Sequence, residues 1–283
     1  MAISILLIVG ASVTNAQYYE IGGFVGMSNY FGDIQATHME PSEYNMAYGL
    51  FGRINLNRHF SGKVSLSRGQ ISGADFNSDT PSGRRQRNLT FQSKIYELAV
   101  TGEFNFIPYD IRNNKIAAFY VFGGVAVFHF NPTAEFEGER YYLNKLGTEG
   151  QHLEGSTTKP YSLVQFAIPM GLGTKFNLNH RSNIGFEVGF RKTFTDYLDD
   201  VSSVYPDIEA LEDMDPVAAA LSYRSPEYYD VTQKALGNPE GKGRGNPVKM
   251  DWYFFMGATL SVNLGTYSDL EYTNRFKYFM MSF

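Results

Sequence analysis

The side chains able to do chemistry in this chain are sparse and scattered. It has five His, 29 acidic and 24 basic residues, and no Cys, so thiol nucleophiles, disulfide frameworks and cysteine metal sites are excluded. His59 and His180 fall in predicted short turns, and His38 and His152 in separate long loops. His129 alone is expected to face inward, near the outer rim of the fold described below. A lone His does not supply nucleophile, base and orienting carboxylate; Ser162 with Glu137 or Glu139 would have to approach it, and nothing in their spacing requires that. Asp75-Phe76-Asn77-Ser78-Asp79 begins like a calcium loop, but Thr80 replaces the required Gly and Gln86 stands where the bidentate Glu belongs. Gly237 to Lys242 is one residue short of a phosphate loop, and Gly243 replaces its Ser or Thr. Gly22-Gly23 and Gly171/Gly173 lie within strand patterns, where Gly marks a bulge or close packing. No catalytic residue, metal site or cofactor is expected.

Another set of charges is patterned. Glu20, Arg53, Lys63, Glu97, Glu103, Lys175, Glu187 and Arg191 each occur at an alternate position of an otherwise apolar or aromatic segment. Four acids and four bases in such settings call for mutual ion pairing, and period-two alternation calls for strands whose two faces meet different surroundings.

Eight segments carry this alternation. In Tyr96 to Phe106, Tyr96, Leu98, Val100, Phe104 and Phe106 share one face while Glu97, Ala99, Thr101, Glu103 and Asn105 share the other. Tyr18 to Ser28, Ala47 to Asn57, Ser61 to Gly69, Gln165 to Leu178, Ile184 to Thr195 and Asp251 to Leu264 follow the same scheme. In the segment ending at Phe130, Tyr120, Phe122, Phe128 and Phe130 oppose Val121, Val125, Val127 and His129; turning its aromatic face to lipid puts His129 inside. Most segments run well beyond the roughly 5 to 6 residues of a soluble strand and match the about 9 to 11 needed to cross a bilayer. Their connections alternate. Short links lie near Arg58-His59, at a Pro108-containing link and at Asn179-His180-Arg181-Ser182; long ones cover about 29–45, 70–90, 131–164 and 196–250. Short periplasmic turns opposite long extracellular loops are the pattern of an outer-membrane barrel.

The expected fold is therefore all-β, an eight-stranded antiparallel transmembrane β-barrel. At eight strands side chains fill the interior, so the eight charged residues should form an ion-pair plug. On the lipid face each Lys or Arg would cost up to about 2 to 4 kcal/mol near the midplane, which decides the parity of the charged strands and leaves Arg68 and Lys192, on outward parity, for the extracellular rim. In the longest loop Asp215-Pro216 and Ser225-Pro226 predict capped short helices, with Gly237 stopping the second.

Ile3 to Gly10 form a short apolar core, and Thr14-Asn15-Ala16 sets small residues before a cut at Gln17, as a secretory signal peptide requires. The basic n-region is missing, and a buried N-terminal strand is the alternative. The expected organisation is a signal peptide over 1–16, a barrel over 17–265 and a periplasmic tail over 266–283. In the tail Tyr272, Arg275, Phe276, Lys277, Tyr278 and Phe279 interleave aromatics with bases, as a cover for the barrel floor or a docking segment for a periplasmic partner. A composition of 16% aromatic and 19% charged residues, with a mean hydropathy of −0.27, excludes a polytopic helical membrane protein, because no run after the leader approaches about 18 apolar residues. A net charge of −5 and a pI near 5.6 lack the basic footprint of a nucleic-acid binder.

Three segments carry a resemblance: Ser28-Asn29-Tyr30-Phe31-Gly32-Asp33, Gly123-Gly124-Val125-Ala126-Val127-Phe128-His129-Phe130-Asn131-Pro132, and Asp196-Tyr197-Leu198-Asp199-Asp200-Val201. In order and spacing they resemble the PorG-like family of Bacteroidetes outer-membrane barrels associated with the type IX secretion system. The resemblance implies a non-catalytic component at the outer membrane. Its implied partners are outer-membrane lipid and a periplasmic ring formed by a lipoprotein and its partner subunit. It carries over no catalytic residues. A barrel enzyme acting on lipid or protein, and a small adhesin or ligand-binding barrel acting through its loops, are the competing readings.

Overall fold

Alternating segments in sequence order, joined alternately by short turns and long loops, pair most readily with their neighbours, and the computed structural model of the chain shows this meander closed on itself. It describes residues 18–35, 41–78, 83–107, 117–179 and 181–264. The strands are β1 (Tyr18–Phe31), β2 (Asn45–Asn55), β3 (Phe60–Ala74), β4 (Thr90–Asn105), β5 (Ala117–His129), β6 (Pro132–Phe136), β7 (Glu139–Tyr142), β8 (Val164–Asn177), β9 (Ser182–Thr193) and β10 (Trp252–Asn263). Eight of them, β1 to β5 and β8 to β10, form an antiparallel barrel closed by the β1–β10 pairing. β6 and β7 form a small hairpin that the sequence pattern missed; it hangs from β4 through Gln92 and Ser93. No described helix is long and apolar enough to cross a membrane.

Two short turns share one device. Asn57 Oδ1 accepts hydrogen bonds from the backbone N–H of His59 at 2.8 Å and Phe60 at 2.9 Å. Asn179 Oδ1 does the same for Arg181 and Ser182, both at 2.8 Å. An Asn side chain mimicking a backbone turn lets β2–β3 and β8–β9 reverse in four residues. Residues 108–116 of the link between β4 and β5, Pro108 among them, lie outside the described residues, as do His38, His180, the 1–16 leader and the whole tail with Tyr272, Arg275, Phe276, Lys277, Tyr278 and Phe279.

The outer surface is a belt of exposed apolar side chains, among them Val25, Leu50, Leu66, Val100, Val125, Phe166, Leu172, Phe186 and Leu260. In water such a continuous patch would be a severe liability; in a bilayer it is the lipid-facing surface. At the rim Arg68 lies between the rings of Tyr48 and Tyr96, 5.6 Å from each centroid, and donates to the Tyr48 hydroxyl. Lys192 is exposed on outward parity and paired in register with Trp252. Both match the expected interfacial positions.

β3 and β4 run further than the alternation suggested, by Gln70 to Ala74 and Thr90 to Ile95. There the inward residues Ile71, Phe91 and Ile95 are fully or nearly fully buried, because loops cover the barrel mouth and supply a second apolar environment. The mouth core joins Tyr30, Phe91, Phe128, Phe130, Tyr253 and Phe255 to Leu198, Val201 and Leu221 from the last long loop.

The β1–β10 seam is tight where Gly26 faces Gly257. A Cβ on Gly26 would overlap the Met256 carbonyl oxygen and stand 2.6 Å from Gly257 Cα. Gly26→Val is expected to destabilise the barrel by about 1 to 3 kcal/mol through forced separation of the seam. Urea titration read by heat-modifiable gel migration measures this, and Gly52→Val, with nothing within 4 Å of the added Cβ, is the neutral control.

Candidate functional site

Three regions have chemistry to inspect: lumen, mouth and turn end. In the lumen, register sets the neighbours. Glu20 on β1 stands beside Arg53 on β2, and Arg53 beside Lys63 on β3. Arg53 reaches Glu20 and Glu103 at 2.9 Å each and Glu187 at 3.3 Å. Lys63 crosses from β3 to Glu187 on β9, the opposite wall, at 2.7 Å and also reaches Glu103 at 3.6 Å. Lys175 lies 3.8 Å from Glu20 and 3.9 Å from Glu103. One layer higher Arg191 pairs with Glu97 at 3.0 Å, and the Tyr253 hydroxyl donates to Glu97 at 2.7 Å. All eight charged residues are buried. The structure thus brings them together as two stacked layers, three acids with three bases below and one pair above.

Aromatic rings seal the layers. Phe51 lies 4.9 Å from the Arg53 guanidinium and Phe122 5.0 Å from Lys63 Nζ, and Tyr120 donates to Glu187 at 2.6 Å. A cavity of about 30 Å³ remains beside Lys63, Glu187 and Arg191, room for little more than a water molecule.

Tyr120, Phe122 and Phe128 correct the sequence reading of β5. They point inward, and His129 points outward beside Tyr96, ring centroids 6.3 Å apart. Register explains the reversal: Glu97 pairs with Phe128, Glu103 with Phe122 and Asn105 with Tyr120, and directly opposed residues share a face. Neither face of β5 carries an Asp, Glu, Lys or Arg to fix its parity, so bulk alone misassigned it. The same reversal removes His129 from the interior. Ser162 donates to the Val164 carbonyl at 3.0 Å, Glu139 lies in β7, and Glu137 occupies the preceding hairpin turn with a positive φ of 51°. His59 stacks on Phe104 with centroids 6.0 Å apart, and its Nδ1 meets the Asn105 carbonyl at 2.9 Å.

The mouth is the second charged region, and sequence reasoning missed it. Asp75, rejected above as a calcium ligand, holds Arg87 at 2.7 Å and accepts from Leu89 N–H at 2.9 Å. Arg87 continues to the carbonyls of Asp33 and Arg244. Arg244 in turn binds Glu149 at 3.0 Å and approaches Asp200 at 3.9 Å, while Thr148 and Tyr161 donate to Asp200. Glu149 also accepts from the N–H groups of Ser202 and Ser203. Burial pushes the Asp200 carboxyl up to about 6 even though Arg244 and the two hydroxyls pull it back. Against the same burial, neighbouring carboxylates keep both guanidinium groups charged.

Two of the quoted motifs meet in this region. Tyr30 donates to Asp199 Oδ2 at 3.1 Å, and Ile34 N–H donates to the same oxygen at 3.2 Å. Asp33 accepts from Asn246 N–H at 2.8 Å, and Asp251 accepts from Leu198 N–H at 2.9 Å. Burial, then the negative charge of neighbouring aspartates, raises Asp196 to about 8 and lifts Asp199 and Asp251 well above the carboxylate range.

Short helices roof the mouth. Asp215 caps Pro216–Ser222, accepting from Val217 at 2.9 Å and Ala218 at 3.3 Å. Asp207 caps an unforeseen helix, Ile208–Met214. Ser225-Pro226 departs from expectation: Ser225 is already helical, the helix ends at Tyr229 with Asp230 left-handed, and Gly237 stops a separate turn, Gln233–Leu236.

At the turn end, Arg58 and Arg181 are exposed, and the last described residue, Leu264, donates its N–H to the Tyr19 carbonyl at 2.8 Å. The chain therefore leaves the barrel among the short turns.

A family model described as a domain of unknown function (DUF6089) matches residues 1–215. The chain belongs to the DUF6089 family. The match runs through β9 and the helix Ile208–Met214, ending before β10. No curated protein matches this DUF6089 chain in sequence. Among solved structures it is similar to Ail, the attachment invasion locus protein of Yersinia pestis, at 9% identity and TM-score 0.41, covering 88% of this chain and 99% of that one. It is similar to the N-terminal β-barrel domain of Pseudomonas aeruginosa OprF at 10% identity and TM-score 0.37, covering 87% and 97%. Neisserial surface protein A (NspA) matches at 6% identity and TM-score 0.39, covering 86% and 96%.

Proposed function

We propose that this outer-membrane barrel is a non-catalytic anchor of the type IX secretion system, whose periplasmic end docks the ring built from a lipoprotein and its partner subunit. The supporting observation is the lumen. Six buried charges in one layer and a Glu97–Arg191 pair above it occupy the space a substrate or solute would need, leaving the two ends as working surfaces. The turn end exposes Arg58 and Arg181 and releases the chain toward a tail in which Arg275 and Lys277 alternate with Tyr272, Phe276, Tyr278 and Phe279. Cationic side chains between aromatic anchors suit a protein partner. The resemblance carried by Tyr30-Phe31-Gly32-Asp33 and Asp196 to Val201 supports the secretion ring as that partner.

Truncation after Leu264 tests the docking assignment. The shortened chain should insert and keep its heat-modifiable migration, while recovery of the periplasmic subunits on affinity purification falls at least tenfold. Recovery at undiminished yield removes the tail as the contact.

A second reading rests on the roof of the mouth, where Tyr228 and Tyr229 are about half exposed, as in a loop-borne binding surface. Deleting 225–236 should leave capture of the ring subunits unchanged if the anchor reading holds; loss of a surface-binding phenotype with secretion intact favours the adhesin reading.

A further inference from the structure

Where β3 and β4 run on past the lipid belt, their outward side chains form a ladder, because directly opposed residues share a face. Val64 with Val100 and Leu66 with Leu98 are exposed apolar rungs of the belt. Arg68 with Tyr96 comes next, then Gln70 with Lys94, Ser72 with Gln92, and Ala74 with Thr90. The wall therefore changes from lipid-facing to cationic to uncharged polar along one face.

Arg68 and Lys94 are diagonal neighbours, with Cα atoms about 7 to 8 Å apart, close enough to share one anion. Neither forms an ion pair with a carboxylate among the described residues, and the Tyr48 and Tyr96 rings hold Arg68 in place. Above these bases opens a cavity of about 280 Å³, lined by Ser72, Thr90, Gln92, Thr133 and Arg140 together with the ring of Phe76, which is 56% exposed. Asn45 braces the wall from β2, accepting from Gln70 and donating to Ser72, both at 2.8 Å. Thr133 donates to the Gln92 carbonyl at 2.8 Å and Arg140 to its side-chain oxygen, so Gln92 Nε2 keeps its donors for a ligand. Two acids also border the cavity. Glu135 pairs with Arg140 at 3.7 Å, and Glu43 accepts from Ala74 N–H at 2.9 Å and from Asn77 Nδ2 at 2.8 Å. Their charge assigns an anion to the bases below and an uncharged polar group to the cavity itself.

Hydroxyls and amides that donate and accept, beside an exposed ring, suit a sugar with its hydroxyl rim and apolar C–H faces. We propose that this wall seats one outer-leaflet glycolipid whose headgroup is a phosphorylated sugar, as in lipid A. Its acyl chains lie along Val64, Leu66, Leu98 and Val100, a phosphate lies between Arg68 and Lys94, and a sugar ring enters the cavity above. A glycerophospholipid fits less well. From Arg68 to Ser72 the face climbs about 10 Å once strand tilt is allowed for, whereas a phospholipid interface is about 5 to 8 Å deep and leaves the cavity unfilled. The site is at the opposite end of the barrel from the short turns and does not depend on ring docking.

The test uses the full chain in detergent, freed of bound lipid, titrated with lipid A and followed by native mass spectrometry. One lipid A per chain should be retained, with phosphatidylglycerol and the deacylated phosphosugar each bound at least tenfold more weakly. Arg68→Gln combined with Lys94→Gln should weaken lipid A binding about 30-fold, the joint effect of two bases at an anionic lipid surface. Ala74→Trp, which fills the cavity, should weaken lipid A at least tenfold and leave phosphatidylglycerol unchanged. Lys192→Gln, a rim base on β9 outside the site, should bind as the wild type does. Heat-modifiable migration confirms that each variant is a folded barrel. The proposal is overturned if the wild type retains no lipid A, or if phosphatidylglycerol or the deacylated phosphosugar binds as tightly. It is equally overturned if the folded double variant or the folded Ala74→Trp variant keeps the wild-type affinity for lipid A.

Discussion

Arg53→Met is expected to cost the folded barrel about 3 to 5 kcal/mol, the range for breaking a buried ion pair from one side. The guanidinium is the hub of the lower lumen layer, contacting Glu20, Glu103 and Glu187 on three other strands. Methionine fills much of its volume but leaves three carboxylates sharing Lys63 and Lys175. Unfolding in urea, followed by gel migration in detergent, should shift to a markedly lower midpoint. Adding Glu103→Gln to Arg53→Met should recover part of the loss, because it removes one of the uncompensated charges. Arg68→Met sets the scale for a base on the outer rim and should change stability by at most about 1 kcal/mol. If Arg53→Met unfolds at the wild-type midpoint, the plug contributes nothing to stability.

Arg244→Met should open the mouth while sparing the barrel. Arg244 is 3% exposed and joins three loop segments at once, through Glu149, the Asp200 carboxylate and carbonyl, and the Ser222 carbonyl. Its own carbonyl receives Arg87. Removing it strands Glu149 and Asp200 without a counter-charge, again at about 3 to 5 kcal/mol. Here the cost falls on a local opening equilibrium, which proteolysis reads directly when closing is fast. Cleavage within 196–250 should accelerate by a factor of about 100 to 4,000, while heat-modifiable migration stays as in the wild type. Equal cleavage rates would mean that the roof is held by the apolar contacts of Leu198, Val201 and Leu221 alone.

Legibility from sequence followed the distribution of charge. β4 could be read face by face because Glu97 and Glu103 alternate with Leu98, Val100 and Phe104, and a carboxylate is better placed in a paired lumen than against lipid. β9 was readable through Glu187 and Arg191 for the same reason. β5 was not, because Tyr120, Phe122 and Phe128 serve equally well as lipid-facing or lumen-filling residues, and only pairing with β4 decides. Over the mouth the Asp215-Pro216 cap was readable, but the charged network beneath it escaped. Its bonds join residues such as Tyr30 and Asp199, 169 positions apart, and no local period encodes a contact of that separation. The Ser225-Pro226 cap misled because the helix starts one residue earlier than its pattern places it: Ser225 opens the helix itself.

The span of Lys63 to Glu187 across opposite walls also bears on how the molecule assembles. Glu20 and Arg53 sit on neighbouring strands and can neutralise each other in a half-formed sheet. Lys63 with Glu187, Glu97 with Arg191, and Lys175 with Glu20 meet only after the sheet has curled. A flat or gaping intermediate in the membrane therefore carries exposed charge that the finished barrel does not, and much of the electrostatic gain arrives with the zipping of β1 to β10. The charges in the lumen thus act as a latch, making the last step of insertion nearly all-or-none and disfavouring reopening of the seam.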